Sequence, residues 1–268
     1  MRGTLFQIAY YGLSVFYILA SLPFLAWPGH TPVRAIIKSY TRAMNWALRI
    51  IAGIRKEVRG RARLPEGAFV IAAKHQSWGD GFLVYPEVHN MAFVTGDHLE
   101  RFPLVSGILR KLGAIVIDTC GGGEKKASSL SEGMENAKKD GRRVLIYPEG
   151  HLAPVGYHFR YKSGVWHMAE AMGVPVVPVA TNIGVFWQQQ ESPRRTGKAV
   201  IEFLEPIPPG LPKEEFIARL TEAVEARTAE LVAEATGEPV KRATLIPDPP
   251  NGFEAKPTAD DLSAYSKA

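Results

Sequence analysis

Residues 68–80 read Ala-Phe-Val-Ile-Ala-Ala-Lys-His-Gln-Ser-Trp-Gly-Asp, an apolar run that changes at once into a polar cluster. The run Ala68–Ala73 follows the turn sequence Leu-Pro-Glu-Gly at residues 64–67. A short apolar stretch bounded in this way predicts a buried strand. Functional side chains in α/β sheets gather at the carboxyl ends of the strands. The sequence therefore predicts that the loop beginning at Lys74 carries function.

Apolar runs and helical patterns alternate along the rest of the chain. Five further strands are predicted, at Met91–Thr95, Gly113–Asp118, Val144–Tyr147, Val174–Thr181 and Lys198–Leu204. Helices are predicted at Glu124–Asp140, Val165–Met172 and Lys213–Ala235. This alternation predicts an α/β fold with a mixed, mostly parallel central sheet flanked by helices. Because proline cannot donate to a ladder, Pro175 and Pro178 predict that their strand is irregular or peripheral.

Charge is distributed unevenly over the 268 residues, of which 46% are hydrophobic and 22% charged. This composition excludes a wholly disordered chain, and the single cysteine excludes a disulfide scaffold. Residues 1–60 hold eight basic side chains and one acidic one, whereas residues 61–268 hold 24 basic and 26 acidic ones. A basic amino-terminal segment indicates an anionic partner. Because the remaining body is net negative, nucleic acid is excluded as that partner and a membrane surface is favoured.

The amino-terminal segment predicts two helices. Thr4–Trp27 is mostly apolar and contains no charged residue. A helix over that range would be about 36 Å long, enough to span or half-insert into a hydrocarbon layer of about 30 Å. Val33–Ile54 then carries basic residues at four-residue intervals beside apolar ones, namely Arg34, Lys38 and Arg42. Such a helix is typical of the headgroup plane of an anionic leaflet.

Other interpretations of these helices stay open. The first also fits a cleaved signal peptide or a buried core helix, and the second fits a core-facing helix with solvated charges. In the favoured interpretation, the basic residues after the first helix predict the inner (cytoplasmic) membrane, with the main domain on the cytoplasmic side. The predicted division is then membrane-docking helices at 1–56, the main domain at 57–237 and a proline-rich, disordered or loosely attached tail at 238–268.

Two polar clusters carry candidate chemistry. His75 precedes Asp80 by five residues, and a carboxylate that holds one imidazole nitrogen as N–H leaves the other free to act as a general base. Taken alone, the pair favours a histidine with a structural role, hydrogen-bonded in a half-buried turn. The second cluster is Tyr147-Pro148-Glu149-Gly150-His151, directly after a predicted strand. Its glutamate can accept from a hydroxyl, although a plain turn after the strand gives the same pattern.

Four blocks together carry a resemblance. In order they are His-x4-Asp at 75–80, Gly-x3-Ile-Asp at 113–118, Tyr-Pro-Glu-Gly at 147–150 and Val-Pro-x2-Pro-Val at 174–179. This order resembles the bacterial lysophosphatidic-acid acyltransferase family of the glycerolipid acyltransferase superfamily, over Ala68 to Ala180. The amino-terminal helices also look like the membrane-docking part of that family. Such motif agreement is a hypothesis about activity that the structure must support.

The resemblance implies a reaction and roles for two residues. His75 would take the proton from an acceptor hydroxyl, which attacks the acyl thioester of acyl-CoA or acyl-carrier protein. Asp80 would orient the histidine and stabilise the imidazolium. The acceptor implied by default is lysophosphatidic acid, giving phosphatidic acid in phospholipid biosynthesis. No bound cofactor, metal or covalent acyl-enzyme is implied.

The resemblance also implies substrate-binding residues, with two departures. Glu149 and Gly150 would position the acceptor, Lys162 would meet phosphate, and Pro178 would line the acyl or thioester side. Asp118 and Thr119 of the second block complete the implied substrate-binding set. In the second block, Asp118 is followed by Thr119, where family members that use a phosphorylated acceptor have arginine. After Gly150 the family pattern Thr-Arg is replaced by His151-Leu152. The missing residues are the best bidentate donors to phosphate, and Arg110, Lys111, Arg160 and Lys162 are candidates to compensate for them.

The two departures keep other functions open. A lyso-aminolipid without phosphate, such as lyso-ornithine lipid, is an alternative acceptor. A thioester or ester hydrolase, in which water replaces the acceptor, is a second alternative, although the sequence contains no Gly-x-Ser-x-Gly nucleophile elbow. A non-catalytic lipid carrier is disfavoured because both His75 and Asp80 are present.

Overall fold

The computed structural model describes residues 2–96, 102–117, 132–189 and 191–248. The helices are α1 Arg2–Ser21, α2 Thr31–Ala47, α3 Asp80–Val84, α4 Pro103–Leu112, α5 at 132–139, α6 Gly164–Met172 and α7 Lys213–Thr236. The strands are β1 Ile54–Arg59, β2 Val70–Ala73, β3 Met91–Gly96, β4 Ile115–Ile117, β5 Arg143–Ile146, β6 Tyr157–His158, β7 Val176–Thr181, β8 Gly197–Phe203 and β9 Thr244–Leu245.

Seven of these strands form one sheet in the order β1-β8-β7-β2-β5-β3-β4. All neighbouring pairs are parallel except β7 and β8, which are antiparallel. The prediction of a mixed, mostly parallel sheet is therefore confirmed. β2 lies in the interior between β7 and β5, so its carboxyl end delivers Lys74 and His75 to the middle of the sheet edge.

Each face of the sheet packs against a different set of helices. One face, with Ile71 and Val179, packs against amino-terminal residues that include Phe6, Met44 and Leu48. The opposite face packs against α6 and α7, where the largest buried side chains are Met168, Phe216 and Leu220. Both clusters are almost fully buried, so the amino-terminal helices complete the hydrophobic core of the sheet.

The predicted boundary at residue 56 lies inside β1. Gly53 has a left-handed conformation and ends a π-helical turn at Leu48–Ala52, so the second helix stops just before the sheet begins. β1 then pairs in parallel with β8, from Ile54 opposite Gly197 to Arg59 opposite Glu202. The hydrophobic pattern did not predict this edge strand, because Ile-Arg-Lys-Glu-Val-Arg has few apolar residues. The amino-terminal helices and the sheet are therefore one folded unit.

The first helix is shorter than the predicted range Thr4–Trp27. It ends at Ser21 and continues only as a short 3₁₀ turn, Leu22–Phe24. Pro23 explains this end, because proline lacks the N–H that a continuing helix requires. By length and composition, Arg2–Phe24 is the one helical stretch in the described part of the chain that is suited to cross a membrane.

The strand with two prolines is irregular, as predicted, but it is not peripheral. β7 is completely buried and lies between β2 and β8. Val179 pairs with Phe203, whereas Val176 pairs with Ile207, so two residues of β7 lie between these pairs and three residues of the facing chain do. The bulge lies beside Pro178, whose carbonyl accepts from the N–H of Leu204 at 2.9 Å. The extra residue lets the ladder continue past a residue that has no N–H to donate.

The beginning of the predicted loose tail packs on the main domain. Thr244–Leu245 pairs with Tyr157–His158, and Ile246 is 1% exposed in a small cluster with Ala153 and Phe159. Composition alone suggested a loose tail from residue 238, but this single buried isoleucine and the paired strand hold the chain to residue 248. The remainder of the predicted tail, 249–268, lies outside the described residues.

Candidate active site

His75 and Asp80 are in direct contact. His75 lies on the loop after β2, and Asp80 is the first residue of α3. Asp80 Oδ2 lies 2.9 Å from His75 Nδ1 and accepts from the backbone N–H groups of Gln76 and Ser77 at 2.8 and 2.9 Å. Because the carboxylate can only accept, Nδ1 carries the proton and Nε2 is left as the basic nitrogen. The predicted pair therefore has the geometry of an oriented general base.

The ring of Tyr147 fixes the other side of the imidazole. The two rings stack with centroids 3.9 Å apart and an interplanar angle of 16°. The Tyr147 hydroxyl is buried, with no hydrogen-bond partner among the described residues. Burial, together with the nearby charge of Asp80, raises the pKa of Tyr147 well above its usual value. Tyr147 thus acts through its apolar face, which holds the histidine ring in place.

A neighbouring segment holds the loop that carries His75. Gln189, which has a positive φ of 45°, donates its N–H to the carbonyl of Gln76 at 2.7 Å and accepts from the N–H of Trp78 at 3.1 Å. Its side chain donates to the carbonyl of Leu152 at 2.9 Å. Gly79 permits close packing, since a Cβ there would lie 2.5 Å from Ile183 Cδ1. The strained glutamine therefore joins the two predicted functional clusters.

A fully buried ion network lies beneath His75. Lys74 Nζ donates to Glu149 Oε2 at 3.0 Å, to Glu225 Oε1 at 2.9 Å and to the carbonyl of Tyr157 at 3.0 Å. Glu225 comes from α7 and also accepts from the Tyr161 hydroxyl at 2.8 Å. The side chains of Lys74 and Glu149 have no exposed surface. One ammonium therefore joins a carboxylate that follows β5 to a carboxylate on α7.

Glu149 supports the catalytic loop from inside the protein. Its Oε1 accepts from the backbone N–H of His75 at 3.2 Å, and its Oε2 also accepts from the N–H of Phe159 at 3.0 Å. Burial raises the pKa of Glu149, while Lys74 counteracts this rise and the charge of Glu225 adds to it. Since both carboxylate oxygens are occupied and buried, the structure does not support the predicted contact between Glu149 and an acceptor. Its observed contacts position His75.

Gly150, His151 and Lys162 form the next part of the site. Gly150 has φ 73°, and a Cβ on it would lie 2.9 Å from Lys162 Nζ, so glycine permits both the turn and the close approach of the ammonium. Lys162 Nζ and His151 Nε2 lie 3.8 and 3.9 Å from the two carboxylate oxygens of Asp248. Burial, with smaller contributions from Lys162 and His75, lowers the pKa of His151, and Asp248 opposes that shift.

Comparison with known proteins identifies the family. A family model described as Acyltransferase matches residues 55–182, which include both functional clusters. The chain is 31% identical over 243 residues to a 1-acyl-sn-glycerol-3-phosphate acyltransferase of Pseudomonas aeruginosa, and the match covers 89% of this chain and 90% of the relative. The chain belongs to the 1-acyl-sn-glycerol-3-phosphate acyltransferase family. It is an acyltransferase, as the resemblance of its motifs predicted.

More distant members of this acyltransferase family agree with the assignment. A 1-acyl-sn-glycerol-3-phosphate acyltransferase of Saccharomyces cerevisiae is 22% identical over 212 residues, covering 77% of this chain and 69% of the relative. The fold matches the crystal structure of the 1-acyl-sn-glycerophosphate acyltransferase from Thermotoga maritima with a TM-score of 0.70. That match covers 87% of this chain and 98% of the other at 23% identity.

The other predicted site residues of this acyltransferase have different outcomes. Asp118 and Thr119 lie outside the described residues. Pro178 lies in buried β7, opposite Ala72 of β2. Lys111 does not compensate for a missing arginine, because its Nζ donates to the carbonyls of Trp27 and Gly29 at 2.6 and 3.2 Å. Within the described ranges, no group of three or more His, Cys, Asp or Glu is arranged to hold a metal ion.

Sequence reasoning missed two functional supports of the acyltransferase site. Glu225 contacts Lys74 across 151 residues of chain, and no local pattern links a helix position to a distant loop. Gln189 was missed because its contribution is made mainly through backbone groups. The one available signal was Lys74 itself, a lysine at the end of an apolar strand, which requires a buried partner if it does not reach solvent.

Proposed function

We propose that the protein is a membrane-associated O-acyltransferase that moves a fatty acyl group from acyl-CoA or acyl-carrier protein to the free hydroxyl of lysophosphatidic acid. The observation that carries this proposal is the contact of His75 Nδ1 with Asp80 at the carboxyl end of β2. The names of the relatives support lysophosphatidic acid as the acceptor. The expected product is phosphatidic acid, and no cofactor or metal takes part in the proposed reaction.

The chemistry follows from the orientation of His75. Its Nε2 takes the proton of the acceptor hydroxyl while the hydroxyl oxygen attacks the thioester carbonyl carbon. The new C–O bond forms, the C–S bond of the tetrahedral intermediate breaks, and the leaving thiolate takes the proton from the imidazolium. Asp80 stabilises the imidazolium between these steps. The ester and a free thiol are the two products, and no acyl group is attached to the enzyme.

Membrane association is supported by an apolar surface on the amino-terminal helices. Eight large side chains there are more than half exposed, namely Leu5, Ile8, Tyr11, Val15, Phe16, Leu19, Trp46 and Ile50. Contiguous exposed apolar surface of this kind marks an interaction site in soluble proteins. Arg42 and Arg49 are exposed on the same helices near Trp46 and Ile50, so the proposed partner is an anionic bilayer. The proposed location is the cytoplasmic face of the inner membrane.

The proposed catalysis is tested with purified His75→Ala enzyme. Wild type is expected to convert lysophosphatidic acid to phosphatidic acid with acyl-CoA or acyl-carrier protein, each supplied separately, and the variant is expected to lose this activity. The variant should bind vesicles as wild type does. Turnover by the variant at the wild-type rate would exclude His75 as the general base.

The proposed docking is tested by vesicle sedimentation. The double variant Ile8→Ser/Phe16→Ser is expected to bind phosphatidylglycerol vesicles more weakly than wild type. Val240→Ser is the matched control, because Val240 is 57% exposed but lies outside these helices. Equal binding by the double variant and the control would place the membrane contact elsewhere.

A second acceptor class is favoured by the threonine at position 119 and the leucine at position 152, where the family pattern has arginine. An acceptor panel with lysophosphatidic acid, lyso-ornithine lipid and no acceptor separates the alternatives. Acylation of lyso-ornithine lipid alone would favour a lyso-aminolipid enzyme. Release of free fatty acid at the full rate without acceptor would favour a hydrolase.

A further inference from the structure

A cationic cavity lies where the beginning of α1, the turn before β1 and the segment before β8 meet. Its volume is about 320 Å³, a size typical of small-molecule sites. Three arginines line it, namely Arg2, Arg194 and Arg195. Three further lining residues carry hydroxyl groups, namely Thr4, Ser192 and Thr196. Within the described part of the chain, no carboxylate lines the cavity. The cavity is therefore suited to an anionic ligand.

The positive charge of the cavity is largely uncompensated. Arg194 Nη2 lies 3.2 Å from Glu191 Oε2, but the arginine side chain is 77% exposed, and such surface pairs are weak. Arg2 and Arg195 form no ion pair with any described residue. Guanidinium groups present paired N–H donors that match the oxygens of phosphate. Three of them in one cavity favour a ligand with more than one phosphate group.

Close backbone contacts hold the walls of the cavity together. A Cβ on Gly3 would lie 2.6 Å from the carbonyl oxygen of Pro193, so α1 packs directly on the segment before β8. The N–H of Gly197 donates to the carbonyl of Gly53 at 3.1 Å, which ties that segment to the turn before β1. The backbones that carry the three arginines therefore have a preformed arrangement.

The segment before β8 also connects the cavity with the loop that carries His75. Pro193 lines both the cavity and a neighbouring cleft. The aromatic side chains of that cleft are Phe6, Tyr10, Tyr11, Trp78 and Trp187. Trp78 lies three residues after His75, and its ring stacks with that of Tyr10 at a centroid distance of 6.0 Å. The cavity, the aromatic cleft and the general base therefore follow one another along the protein.

An acyl-CoA donor has the same order of parts. Its nucleotide end carries a diphosphate and a 3′-phosphate, a largely uncharged pantetheine arm follows, and the thioester lies at the far end. With the phosphates at the arginines, the arm would run along the aromatic cleft and bring the thioester toward His75. An anionic lipid headgroup is the other source of phosphate near α1. A phosphatidylglycerol headgroup has a single phosphate, and its binding would not require a connection to the catalytic loop.

We propose that the cavity lined by Arg2, Arg194 and Arg195 binds the nucleotide phosphates of acyl-CoA. This inference rests on the proposed function, since it assumes that a thioester donor reaches His75. It names acyl-CoA as the donor, because acyl-carrier protein attaches the same arm to a serine phosphate and has no nucleotide. The cavity shares no residue with the acceptor-binding set implied by the sequence motifs.

The test compares two donors with the same thioester and pantetheine arm. Initial rates are measured on detergent-dispersed full-length enzyme with palmitoyl-CoA and with palmitoyl-pantetheine, which lacks all phosphates. Arg194→Gln/Arg195→Gln is expected to raise the KM for palmitoyl-CoA about tenfold, the value of one hydrogen bond to a charged group. Its kcat, and its KM for palmitoyl-pantetheine, should stay near the wild-type values. Arg242→Gln is the matched control, because Arg242 is 73% exposed and also pairs with a carboxylate.

Binding without turnover is measured by isothermal titration calorimetry with adenosine 3′,5′-bisphosphate. Wild type and the Arg242→Gln control should bind this nucleotide, and the double variant should bind it about tenfold more weakly. Added salt should weaken binding to wild type, because it screens exposed charges. Nucleotide binding that depends on Arg194 and Arg195 in an enzyme without acyl transfer would support the cavity as a nucleotide site and overturn the proposed function.

Three outcomes would overturn the nucleotide site while leaving the proposed function in place. The first is acyl transfer by wild type with an unchanged KM for palmitoyl-CoA in the double variant. The second is a loss of vesicle binding by the double variant without a change in that KM, which would assign the arginines to lipid headgroups. The third is a raised KM for palmitoyl-acyl-carrier protein alone, which would assign them to a protein carrier.

Discussion

Replacing Lys74 by methionine tests whether the buried ion network supports the catalytic loop. Methionine has a similar length but no charge, so the substitution removes three hydrogen bonds while retaining most of the packing. The carboxylates of Glu149 and Glu225, which the ammonium now joins, would be left together in the interior without a cation. The backbone N–H of His75 would still bond to Glu149, but to a carboxyl group that has lost its main partner.

The expected loss of stability is large. Breaking a buried ion pair by removing one partner costs about 3–5 kcal/mol, because the remaining charge stays desolvated. For a domain of this size that corresponds to a fall of roughly 6–20 °C in melting temperature. The double variant Lys74→Met/Glu225→Gln should recover part of the loss, since it removes one of the two uncompensated carboxylates. Glu225→Gln alone keeps an acceptor oxygen for Tyr161 and should cost little.

The pKa of Glu149 determines how the stability loss of Lys74→Met changes with pH. Burial already raises the pKa of Glu149 above its ordinary 4.5, and loss of Lys74 raises it further. Between 4.5 and the raised value, the folded variant binds more protons than the unfolded chain, so its stability falls as the pH rises through that window. The melting temperature of the variant, measured by circular dichroism, should therefore lie further below that of wild type at pH 8 than at pH 5. A deficit below about 2 °C at pH 8, or no recovery in the double variant, would refute this account of the network.

Three further substitutions have defined outcomes. Tyr147→Phe keeps the ring on His75 and removes an unsatisfied hydroxyl, so kcat should hold and the melting temperature should rise by the equivalent of up to about 1 kcal/mol. Arg142→Met removes donors to three backbone carbonyls, those of Met91, Leu112 and Gly113, and should cost about 3 kcal/mol in urea unfolding. Gly150→Ala forces a side chain into a left-handed turn against Lys162, so kcat/KM should fall, with roughly 1–2 kcal/mol of lost stability. A lower kcat or an unchanged melting temperature for Tyr147→Phe, unchanged urea unfolding for Arg142→Met, or an unchanged kcat/KM for Gly150→Ala would contradict the corresponding contact.

The strands that carry the site were predictable because they are apolar runs between turns. Ala68–Ala73 and Val144–Tyr147 correspond closely to the buried strands β2 and β5, since a strand covered on both faces must be apolar throughout. β1 was not predictable in this way, because it lies at the sheet edge and carries charged side chains that reach solvent or ion partners. Residue 246 illustrates the same limit, since one apolar residue in a polar segment gives no periodicity.

The contact between His75 and Asp80 was predictable, whereas the residues that support it were not. His75 and Asp80 are near in sequence, so their spacing indicates their contact. The burial of Glu149 was not predictable, because a glutamate after a strand looks available to substrate, and only its distant partners reveal that it is buried. The partner of Lys74 on α7 depends on how the two ends of the chain meet on one face of the sheet. Tertiary packing, which no short motif records, decides that arrangement.

On the proposed membrane docking, the position of α1 makes the bilayer a thermodynamic partner of the whole domain. Phe6 on this helix is buried in the sheet core, and its ring centroid lies 5.1 Å from that of Trp187. Ile8, two residues later, is 66% exposed. A lipid surface that binds α1 only in its docked position favours the native state over the unfolded one by mass action. Vesicles or detergent should then protect distant strands from hydrogen exchange as well as the helix itself. On that proposal, solubility and thermal resistance cannot be adjusted separately, because the helix that packs Phe6 into the sheet core also carries the exposed apolar side chains that would bind lipid.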